Sequence, residues 1–505
     1  MMLIPIDTSS SIPLYRQVRD RIVELVEKGA LRPGDRLPPT REHAATLGLH
    51  RTTLVRAYDE LRALGYLESR PGSYSTVRRR ARPPSVRLAP GNSGRDAKVS
   101  AFRWKALVTP GARIALADVA REEEDHAAAG GVIDFSRLSA DPRLAPCEEL
   151  GRYLKRALVR GKGEMLGYAD SAGEGPLREA ISRRMRTHGV DVSPDEVVVT
   201  AGAQSALDRC LRLLAKPGDR VVAEAPTYGL AHRLFRVHGV KVVEVPMLGD
   251  GMDLDALARA LGHGPAPRFV YTMPNFHNPT GVTTSQAHRE RLLAICEEKG
   301  VPIVEDGFEE EMKYFGEAVL PIKSMDARGT VLYVGTFSKV AFPGLRLGWI
   351  AAPREVVAHL SALERVTSLG GNTLIQAAVA RFCASGALES YLRRVPRVFR
   401  KRMQATLRAL DASIPASVAW PRPAGGYLVW MRLSGPPDSE PETCARLLGA
   451  GVRVAPGRPF FGAPPSAPYA RLSIACLDEE AIAEGCRRIG RVLRETSPRG
   501  ISPRT

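Results

Sequence analysis

The stretch VGTFSKVAFPGLRLGW, residues 334–349, carries the strongest indication of the fold. An apolar strand leads into Lys339, and Arg346 follows seven residues later. A lysine in a partly desolvated pocket loses its proton easily and can form an imine with an aldehyde, and an arginine can pair with a phosphate. Taken alone, a lysine after a strand is more often a surface residue. Whether this stretch forms a site depends on what the neighbouring segments place beside it.

The segments before this stretch predict an α/β fold with a parallel sheet covered by helices. Apolar strands alternate with longer helical stretches, which is the rhythm of βαβ units. The strands are VVVTAG at 197–202, RVVAEAP at 220–226, RFVYTM at 268–273 and VPIVEDG at 301–307. Ligands bind such sheets at the carboxyl ends of the strands, so we expect the polar residues there to meet at one edge.

Suitable polar residues follow these strands. The amides of Ala203 and Gln204 begin a helix and could bind a phosphate, and Tyr228 offers an aromatic face for stacking. Asp306 follows an apolar strand, where a buried carboxylate needs a cation such as a protonated pyridine nitrogen. Asn278 could hydrogen-bond a ring hydroxyl. Singly, these features also fit a plain strand-to-helix turn or a helix cap, but together they favour a cofactor site.

In this order along the chain, the residues resemble the fold-type I aminotransferases over about residues 130–495. The resemblance implies that pyridoxal 5'-phosphate is the cofactor and that Lys339 holds it as an internal aldimine. It also implies that Asp306 pairs with the pyridine nitrogen, Asn278 contacts the ring oxygen and Tyr228 stacks on the ring. The residues implied to hold the phosphate are Ala203, Gln204, Thr336 and Arg346.

Two further residues have implied roles outside the ring. Tyr168, in LGYADSAGEGPLREA, would reach the phosphate bound by a partner subunit, which implies a homodimer. Arg471, in ARLSIA, matches the arginine that takes the α-carboxylate of an amino compound, a bidentate task suited to guanidinium. The alternative for Arg471 is a salt bridge at the rim of a small carboxy-terminal α+β domain.

The chain departs from the family pattern at two positions. Phe308 stands two residues after Asp306, where the family commonly has tyrosine, and Ala201 replaces a common hydroxyl residue. Phe308 cannot donate a hydrogen bond to the ring oxygen, an interaction worth ~1.5–3 kcal/mol with a charged group. Because Asn278 would then act alone, we predict altered protonation of the cofactor linkage and weak or no turnover.

The amino-terminal block has a different pattern. A helical repeat of apolar residues begins at Leu14 and ends near Gly29. The turn-rich LRPGDRLPPT precedes helices predicted over 41–47 and 51–64, and YLESR and SYSTV follow as a hairpin. Three helices and a hairpin predict a winged helix-turn-helix over residues 11–78.

Hydrogen-bond donors cluster at the start of the third helix, where they could reach phosphates and base edges in a major groove. They are His50, Arg51, Thr52 and Thr53, with Arg41 and Arg70 as flanking cations. A helical hairpin with solvated arginines is the alternative. However, LRPGDRLPPTREHAATLGLHRTTLVRAYDELRALGYLESRPGSYSTV resembles the GntR-type winged helix throughout, which implies DNA contacts by Arg41, Arg51, Thr52 and Thr53, with Gly72 at the wing tip. His50 replaces a more usual small hydroxyl residue, and Val55 replaces an arginine of some members.

The length and composition of the chain agree with a DNA-binding domain joined to a larger cofactor-binding domain. The length of 505 residues predicts two or three domains, and the net charge of +17 favours a polyanionic partner such as DNA. Seven cysteines without a CxxC pair indicate neither a zinc site nor a disulfide framework, and no apolar run predicts a membrane span, so we expect a cytoplasmic protein. Residues 79–130, which open with basic and proline residues, are predicted to form a flexible basic linker.

A winged helix before an aminotransferase-like domain, taken here as 131–495, resembles the MocR family of GntR regulators over nearly the whole chain. The leading hypothesis is a transcription regulator. An amino compound, or pyridoxal phosphate itself, would bind at Lys339 and change how a homodimer presents its winged helices to a DNA operator. The rival is an active amino-acid aminotransferase whose amino-terminal domain serves localisation or is vestigial. A purely structural DNA-binding protein fits poorly with so complete a set of cofactor residues.

Overall fold

The structure, a computed structural model, divides the chain into two compact units, Met1–Phe102 and Arg103–Thr505. None of the helices in its described part is long and apolar enough to cross a membrane. The described residues are 4–10, 12–68, 74–78, 104–126, 131–161, 166–339 and 341–496.

The first unit is a winged helix. Its elements are α1 (Leu14–Glu27), β1 (Arg36–Leu37), α2 (Thr40–Leu47), α3 (Arg51–Ala63), β2 (Leu67–Glu68) and β3 (Ser75–Val77). The strands pair antiparallel in the order β1-β3-β2, which confirms the predicted three helices and hairpin. Strand β1 was missed by the sequence pattern: within the turn-rich stretch, Leu37 is buried and pairs with Ser75.

The spacing of apolar residues along its helices explains how this small unit forms a hydrophobic core. Val18 and Ile22 of α1 and Leu54 and Tyr58 of α3 are fully buried, and each pair is spaced by one helical turn and so shares a face. Helix α2 ends at Gly48, whose φ of 65° is the left-handed conformation that glycine adopts without strain. The turn at Gly48 directs the chain into α3.

The second unit contains a helical layer on each side of its main sheet. The first two helices, α4 (Trp104–Leu107) and α5 (Pro110–His126), lie within the stretch predicted as linker. The others are α6 (Cys147–Arg160), α7 (Gly175–Thr187), α8 (Ala203–Leu214), α9 (Gly229–Val237), α10 (Leu254–Gly262), α11 (Gln286–Lys299), α12 (Arg354–Thr367), α13 (Thr373–Ala384), α14 (Ala387–Ser413), α15 (Glu440–Gly449) and α16 (Glu479–Thr496).

The main sheet has eight strands in the order β5-β12-β11-β10-β9-β6-β7-β8. The strands of the second unit are β4 (Ile133–Asp134), β5 (Val197–Thr200), β6 (Arg220–Ala225), β7 (Lys241–Leu248), β8 (Gly251–Met252), β9 (Val270–Thr272), β10 (Ile303–Asp306), β11 (Val331–Thr336), β12 (Gly348–Ala351), β13 (Leu428–Arg432), β14 (Val452–Arg453), β15 (Ala455–Pro456) and β16 (Tyr469–Ser473).

The centre of this sheet is parallel, as predicted, but the sheet as a whole is mixed. Strands β7, β6, β9, β10 and β11 run parallel, whereas β12 is antiparallel to both β11 and β5 and β8 is antiparallel to β7. In its described residues the loop from Thr336 to Gly348 contains no α-helix, and a parallel return would need a longer crossover. Neighbouring residues of β6 enter different apolar clusters: Val221 packs with α8, α9 and α12, and Val222 packs with α10 and α11.

A second, smaller sheet follows in the carboxy-terminal part. Strands β13, β16 and β15 pair antiparallel in that order, and β14 pairs in parallel with β4. Helices α14, α15 and α16 pack with these strands in one extended apolar core. This arrangement confirms a small α+β domain, and it places Arg471 on the central strand β16 between Trp430 and Ala455.

Candidate cofactor site and nucleic-acid interface

The main sheet brings predicted cofactor residues together at the carboxyl ends of its strands. Asp306 ends β10 and Thr336 ends β11, and these strands are parallel neighbours. The turn after β5 lies at the same edge, because Thr200 pairs with Gly348 and Gly348 pairs with Thr336. Segments that are distant in sequence therefore meet at one edge of the sheet, as predicted for the carboxyl ends of its strands.

Asp306 is buried and has one unsatisfied oxygen. Its Oδ2 accepts a hydrogen bond from the Tyr271 hydroxyl at 2.8 Å, whereas Oδ1 has no partner among the described residues. Burial raises the pKa of Asp306 to about 6. A protonated pyridine nitrogen would donate to Oδ1 and stabilise the ionised carboxylate. Tyr271 was missed by sequence reasoning, because it lies inside an apolar strand where nothing local marks it.

Lys339 is half-buried beside the same edge. Its Nζ donates to the carbonyl oxygen of Leu138 at 2.6 Å, and the Tyr427 hydroxyl donates to the Lys339 carbonyl at 3.0 Å. Burial lowers the pKa of Lys339 from its ordinary value. A lower pKa increases the fraction of neutral amine, which is the form that attacks an aldehyde. The residue that sequence analysis singled out thus has the environment that its chemistry requires.

The turn after β5 forms a cradle with Arg346. Gly202 precedes α8 with φ of 93°, and a Cβ added there would lie 2.9 Å from Nη2 of Arg346. Arg346 is exposed, and its Nη2 donates to the Ala201 carbonyl at 3.1 Å. Ala203 is the first residue of α8, and the Gln204 side chain donates to the Leu230 carbonyl at 3.2 Å. A helix N-terminus and a guanidinium are therefore adjacent, which suits a phosphate.

Two hydroxyl residues beside Lys339 differ in their availability. The Thr336 hydroxyl donates to the Leu347 carbonyl at 3.1 Å and accepts from the Ser338 amide at 3.0 Å. Ser338 is buried, and its Oγ has no partner among the described residues. Ser338 thus offers the free hydroxyl next to the lysine, a position that sequence analysis passed over in favour of Thr336. Its place directly before Lys339 was the available signal.

Arg471 and Asn278 are joined at the other side of the site. Arg471 Nη1 donates to Asn278 Oδ1 at 3.1 Å, and Nη2 donates to the Ser136 carbonyl at 2.7 Å. Burial lowers the pKa of Arg471 to about 10, so it remains a cation at neutral pH. Since the Asn278 oxygen accepts from a guanidinium, the amide nitrogen is left to donate to a ring oxygen. The rim salt bridge considered for Arg471 is absent from the described part of the chain.

The three aromatic residues named by sequence analysis lie in different surroundings. Tyr228 directly precedes α9, and Tyr168 is 81% exposed on the subunit surface. Phe308 is buried in the apolar cluster under α8 and lines a small cavity with Tyr333 and Trp349. Phe308 carries no polar atom that could donate to a ring oxygen, so that task falls to Asn278 alone.

The residues fit pyridoxal phosphate. Buried polar atoms without a hydrogen bond are costly, ~1–3 kcal/mol each. The unpartnered Asp306 Oδ1 and Ser338 Oγ are complementary to a pyridinium N–H and a phosphate oxygen. The amine of Lys339 completes the set. When bound, this cofactor supplies an electron sink for carbon atoms attached to an amino group.

The candidate DNA-reading residues lie at the start of α3. Arg51 and Thr52 are exposed on its first turn, Thr53 is half-buried, and Arg41 is exposed near the start of α2. The His50 ring accepts a hydrogen bond from the Thr52 amide at 3.4 Å and caps α3, which is the task of the small hydroxyl residue it replaces. Predicted contacts at Arg70 and Gly72 lie outside the described residues.

Comparisons with known proteins identify the family of each part of the chain. Residues 14–77 match the bacterial regulatory proteins of the gntR family, and residues 138–489 match aminotransferase class I and II. The 2-aminoadipate transaminase of Thermus thermophilus is 39% identical over 72% of this chain and 90% of that enzyme. The probable rhizopine catabolism regulatory protein MocR of Rhizobium meliloti is 30% identical over 96% of this chain and 94% of that protein. The crystal structure of a multiple substrate aminotransferase from Thermococcus profundus superposes with a TM-score of 0.74 at 31% identity, covering 78% of this chain and 99% of that one.

The two folds define a protein that joins a winged helix-turn-helix to a fold-type I domain of the kind that uses pyridoxal 5'-phosphate. The chain belongs to the MocR-type GntR family, in which an aminotransferase class I and II domain follows the DNA-binding module.

Proposed function

We propose that this protein is a transcription regulator in which an amino compound, or pyridoxal phosphate itself, bound at Lys339 controls operator binding. The observation that carries the proposal is the presence, in one chain, of an exposed α3 start and of a site where buried Asp306 and Ser338 have unpartnered oxygens close to Lys339. Regulation needs both, whereas catalysis needs only the second. The absence of a hydroxyl at Phe308 further favours a binding role over rapid turnover.

In this proposal each residue of the site has a binding task. Asp306 accepts a hydrogen bond from the ring nitrogen, and Asn278 donates to the ring oxygen. Arg346, Ser338 and the amides at the start of α8 hold the phosphate, with Thr336 orienting the Ser338 backbone. Arg471 holds a carboxylate of the effector by charge-assisted hydrogen bonds. Lys339 is the covalent anchor.

The route from this site toward the linker runs through α5 and α9. Helix α5 packs against α9, where Asp118 lies 3.5 Å from Arg236 and the Gly111 backbone approaches the Val237 carbonyl closely. Helix α9 begins directly after Tyr228, the residue proposed to stack on the cofactor ring. A change in the position of Tyr228 would therefore reach α5, which with α4 lies between the winged helix and the rest of the cofactor domain in the sequence.

We propose a homodimer in the cytoplasm as the working form. Each subunit would contain the winged helix at 11–78, a basic tether from 79 onward and the cofactor domain ending at 495. Tyr168 is 81% exposed, so its ring is accessible for the proposed contact with a partner's cofactor.

The experiment is a mobility shift with DNA from upstream of the protein's own gene, with and without pyridoxal phosphate and amino compounds. A specific complex whose affinity responds to these ligands is expected, and Lys339→Ala should bind DNA without that response. Arg62→Ala, at the far end of α3, is the control for DNA contacts. A protein that binds this DNA no better than unrelated DNA would refute the proposal.

The rival function is an amino-acid aminotransferase. It is favoured by the pairing of Arg471 with Asn278, which presents a carboxylate site next to the ring position, and by the 39% identity to 2-aminoadipate transaminase. Multiple-turnover transamination at about 1–1,000 per second, the ordinary enzymatic range, would establish it.

A further inference from the structure

One buried carboxylate in the site has no task in the proposed function. Glu309 is 1% exposed, and among the described residues its carboxylate has no side-chain donor or cation within hydrogen-bonding distance; the backbone amide of Tyr427 is the donor that lies near it. Burial raises its pKa to about 8, whereas Lys339 and Arg471 act in the opposite direction. Buried acidic groups are normally paired with a cation or a donor. An unpaired one beside a binding site indicates that a ligand supplies the partner.

Glu309 lies among the groups that bind the cofactor. Of the charged side chains that influence Lys339, Glu309 has the largest effect, and Arg471 and Asp306 follow. Its Oε2 packs against Gly426, where an added Cβ would lie only 2.6 Å away. The next residue, Tyr427, donates its hydroxyl hydrogen bond to the Lys339 carbonyl. The carboxylate, the lysine and the guanidinium therefore share one desolvated space.

Charge balance in this space changes when ligands bind. Without them, Lys339 and Arg471 face the Asp306 carboxylate and Glu309, whose raised pKa of about 8 leaves it largely protonated at neutral pH. In the proposed function the cofactor occupies Lys339 and pairs its ring nitrogen with Asp306, and a carboxylate of the effector pairs with Arg471. The effector's carboxylate then offsets the charge of Arg471, which leaves Glu309 with less cationic charge nearby. A desolvated carboxylate in that situation must gain a proton or meet a new cation.

We propose that Glu309 is a specificity-determining residue that pairs with a second cationic group of the effector. The site would therefore prefer amino compounds with two amino groups, such as diamines and diamino acids, over compounds with one. It would disfavour dicarboxylic amino acids, whose second carboxylate would face Glu309. This inference rests on the proposed function, because it requires an amino compound to bind at Lys339.

The test uses the full-length protein loaded with pyridoxal phosphate. Ornithine, 1,4-diaminobutane, alanine and glutamate are titrated in turn, and the change in visible absorbance gives the Kd of each. We expect ornithine to bind at least about 10-fold more tightly than alanine, and glutamate to bind most weakly. Glu309→Gln, which keeps the shape and removes the charge, should bring the ornithine-to-alanine ratio close to one.

Glu310→Gln is the matched control, because the neighbouring Glu310 carboxylate accepts from Asn275 Nδ2 at 2.6 Å and already has a partner. It should keep the preference for ornithine. Glu309→Asp serves if the glutamine variant melts at a much lower temperature, and it should keep the preference in weakened form. Equal affinities in the parent protein, or an unchanged preference in Glu309→Gln, would overturn the inference while leaving DNA control intact. Failure of all amino compounds to change the spectrum, together with unresponsive DNA binding, would overturn the proposed function as well.

Discussion

The DNA-reading end and the cofactor site of this protein are built in opposite ways. The first takes its candidate residues from a short continuous segment around α2 and α3, where Arg51 and Thr52 are exposed. The second assembles residues from Tyr168 to Arg471, among which Asp306, Asn278 and Arg471 are buried and hydrogen-bonded. Exposed residues can change without disturbing the fold, whereas buried ones serve both folding and binding. Substitutions at the DNA-reading end should therefore change DNA affinity without changing stability. Substitutions of buried residues in the cofactor site should change cofactor affinity and stability together.

The largest effect is expected for Asp306→Ala. It removes the acceptor for the ring nitrogen and leaves the Tyr271 hydroxyl without its partner, so both cofactor binding and stability should fall. Pyridoxal phosphate should bind about 100-fold more weakly, which corresponds to ~2.7 kcal/mol. Visible absorbance titration measures the affinity, and thermal unfolding measures the stability. Asp326→Asn, which alters a carboxylate paired with Lys323 instead, should leave cofactor affinity unchanged.

A pH effect of comparable size is expected from Glu309. Its pKa of about 8 in the folded protein lies above the unfolded value of ~4.3, so the folded state binds this proton more tightly. Its contribution to stability is therefore present at low pH and is lost as pH rises through about 8. Between about pH 5 and pH 8, the cofactor-free parent should lose ~1–3 kcal/mol relative to Glu309→Gln. Parallel stability curves from denaturant unfolding would contradict the buried carboxylate described here.

Arg51→Ala tests the exposed half of the comparison. We expect operator affinity to fall by ~1–3 kcal/mol, because the variant loses a cation and a donor at the start of α3. Cofactor affinity and melting temperature should stay as in the parent, since Arg51 is exposed. Mobility shift, absorbance and thermal unfolding on the same sample provide the three values. A drop in melting temperature comparable to that of Asp306→Ala would remove the contrast between the regions.

Gly111→Val examines α5, the longer of the two helices within the stretch predicted as linker. A Cβ at this position would lie 2.6 Å from the Val237 carbonyl oxygen, so valine should push α5 away from α9. We expect a few-fold change, at most ~1–2 kcal/mol, in the response of DNA binding to effector, with little change in cofactor affinity. Gly151→Val, at a helical glycine with open space around it, is the control. An unaltered response would show that this helix contact does not carry the coupling.

The smallest effect is expected for Phe308→Tyr. A hydroxyl at this position would add a second donor to a ring oxygen that Asn278 is proposed to contact already, so we expect ~0.5–1.5 kcal/mol, less than the ~1.5–3 kcal/mol of a sole donor to a charged group. The midpoint of the visible absorbance change with pH should therefore shift by about 0.4–1 pH unit. Phe308→Leu, which adds no donor, should keep the midpoint of the parent. Identical titration curves for the parent and Phe308→Tyr would exclude a role for this position in tuning the cofactor.

The sequence by itself determined the two folds, most boundaries of the helices and strands, and the main candidates for cofactor-binding and DNA-binding residues. Helical and strand periodicities are local, so α1, α3 and the strands ending in Asp306 and Thr336 could be read directly. A strand end also predicts the edge at which a polar residue lies. The candidate DNA-reading residues could be proposed from the sequence directly, because most of them are neighbours in the chain.

Only the tertiary structure decided which atoms are satisfied and which are left free. The Tyr271 hydroxyl, on a neighbouring strand, donates a hydrogen bond to Asp306. The Thr336 hydroxyl donates to the Leu347 carbonyl, whereas Ser338 Oγ has no hydrogen-bond partner among the described residues. The surroundings of Glu309 are likewise decided by the tertiary structure, because Lys339 and Arg471, which oppose the rise of its pKa on burial, come from distant segments. Hydrogen bonding and desolvation depend on atoms brought together across the sheet, and that information is absent from local spacing.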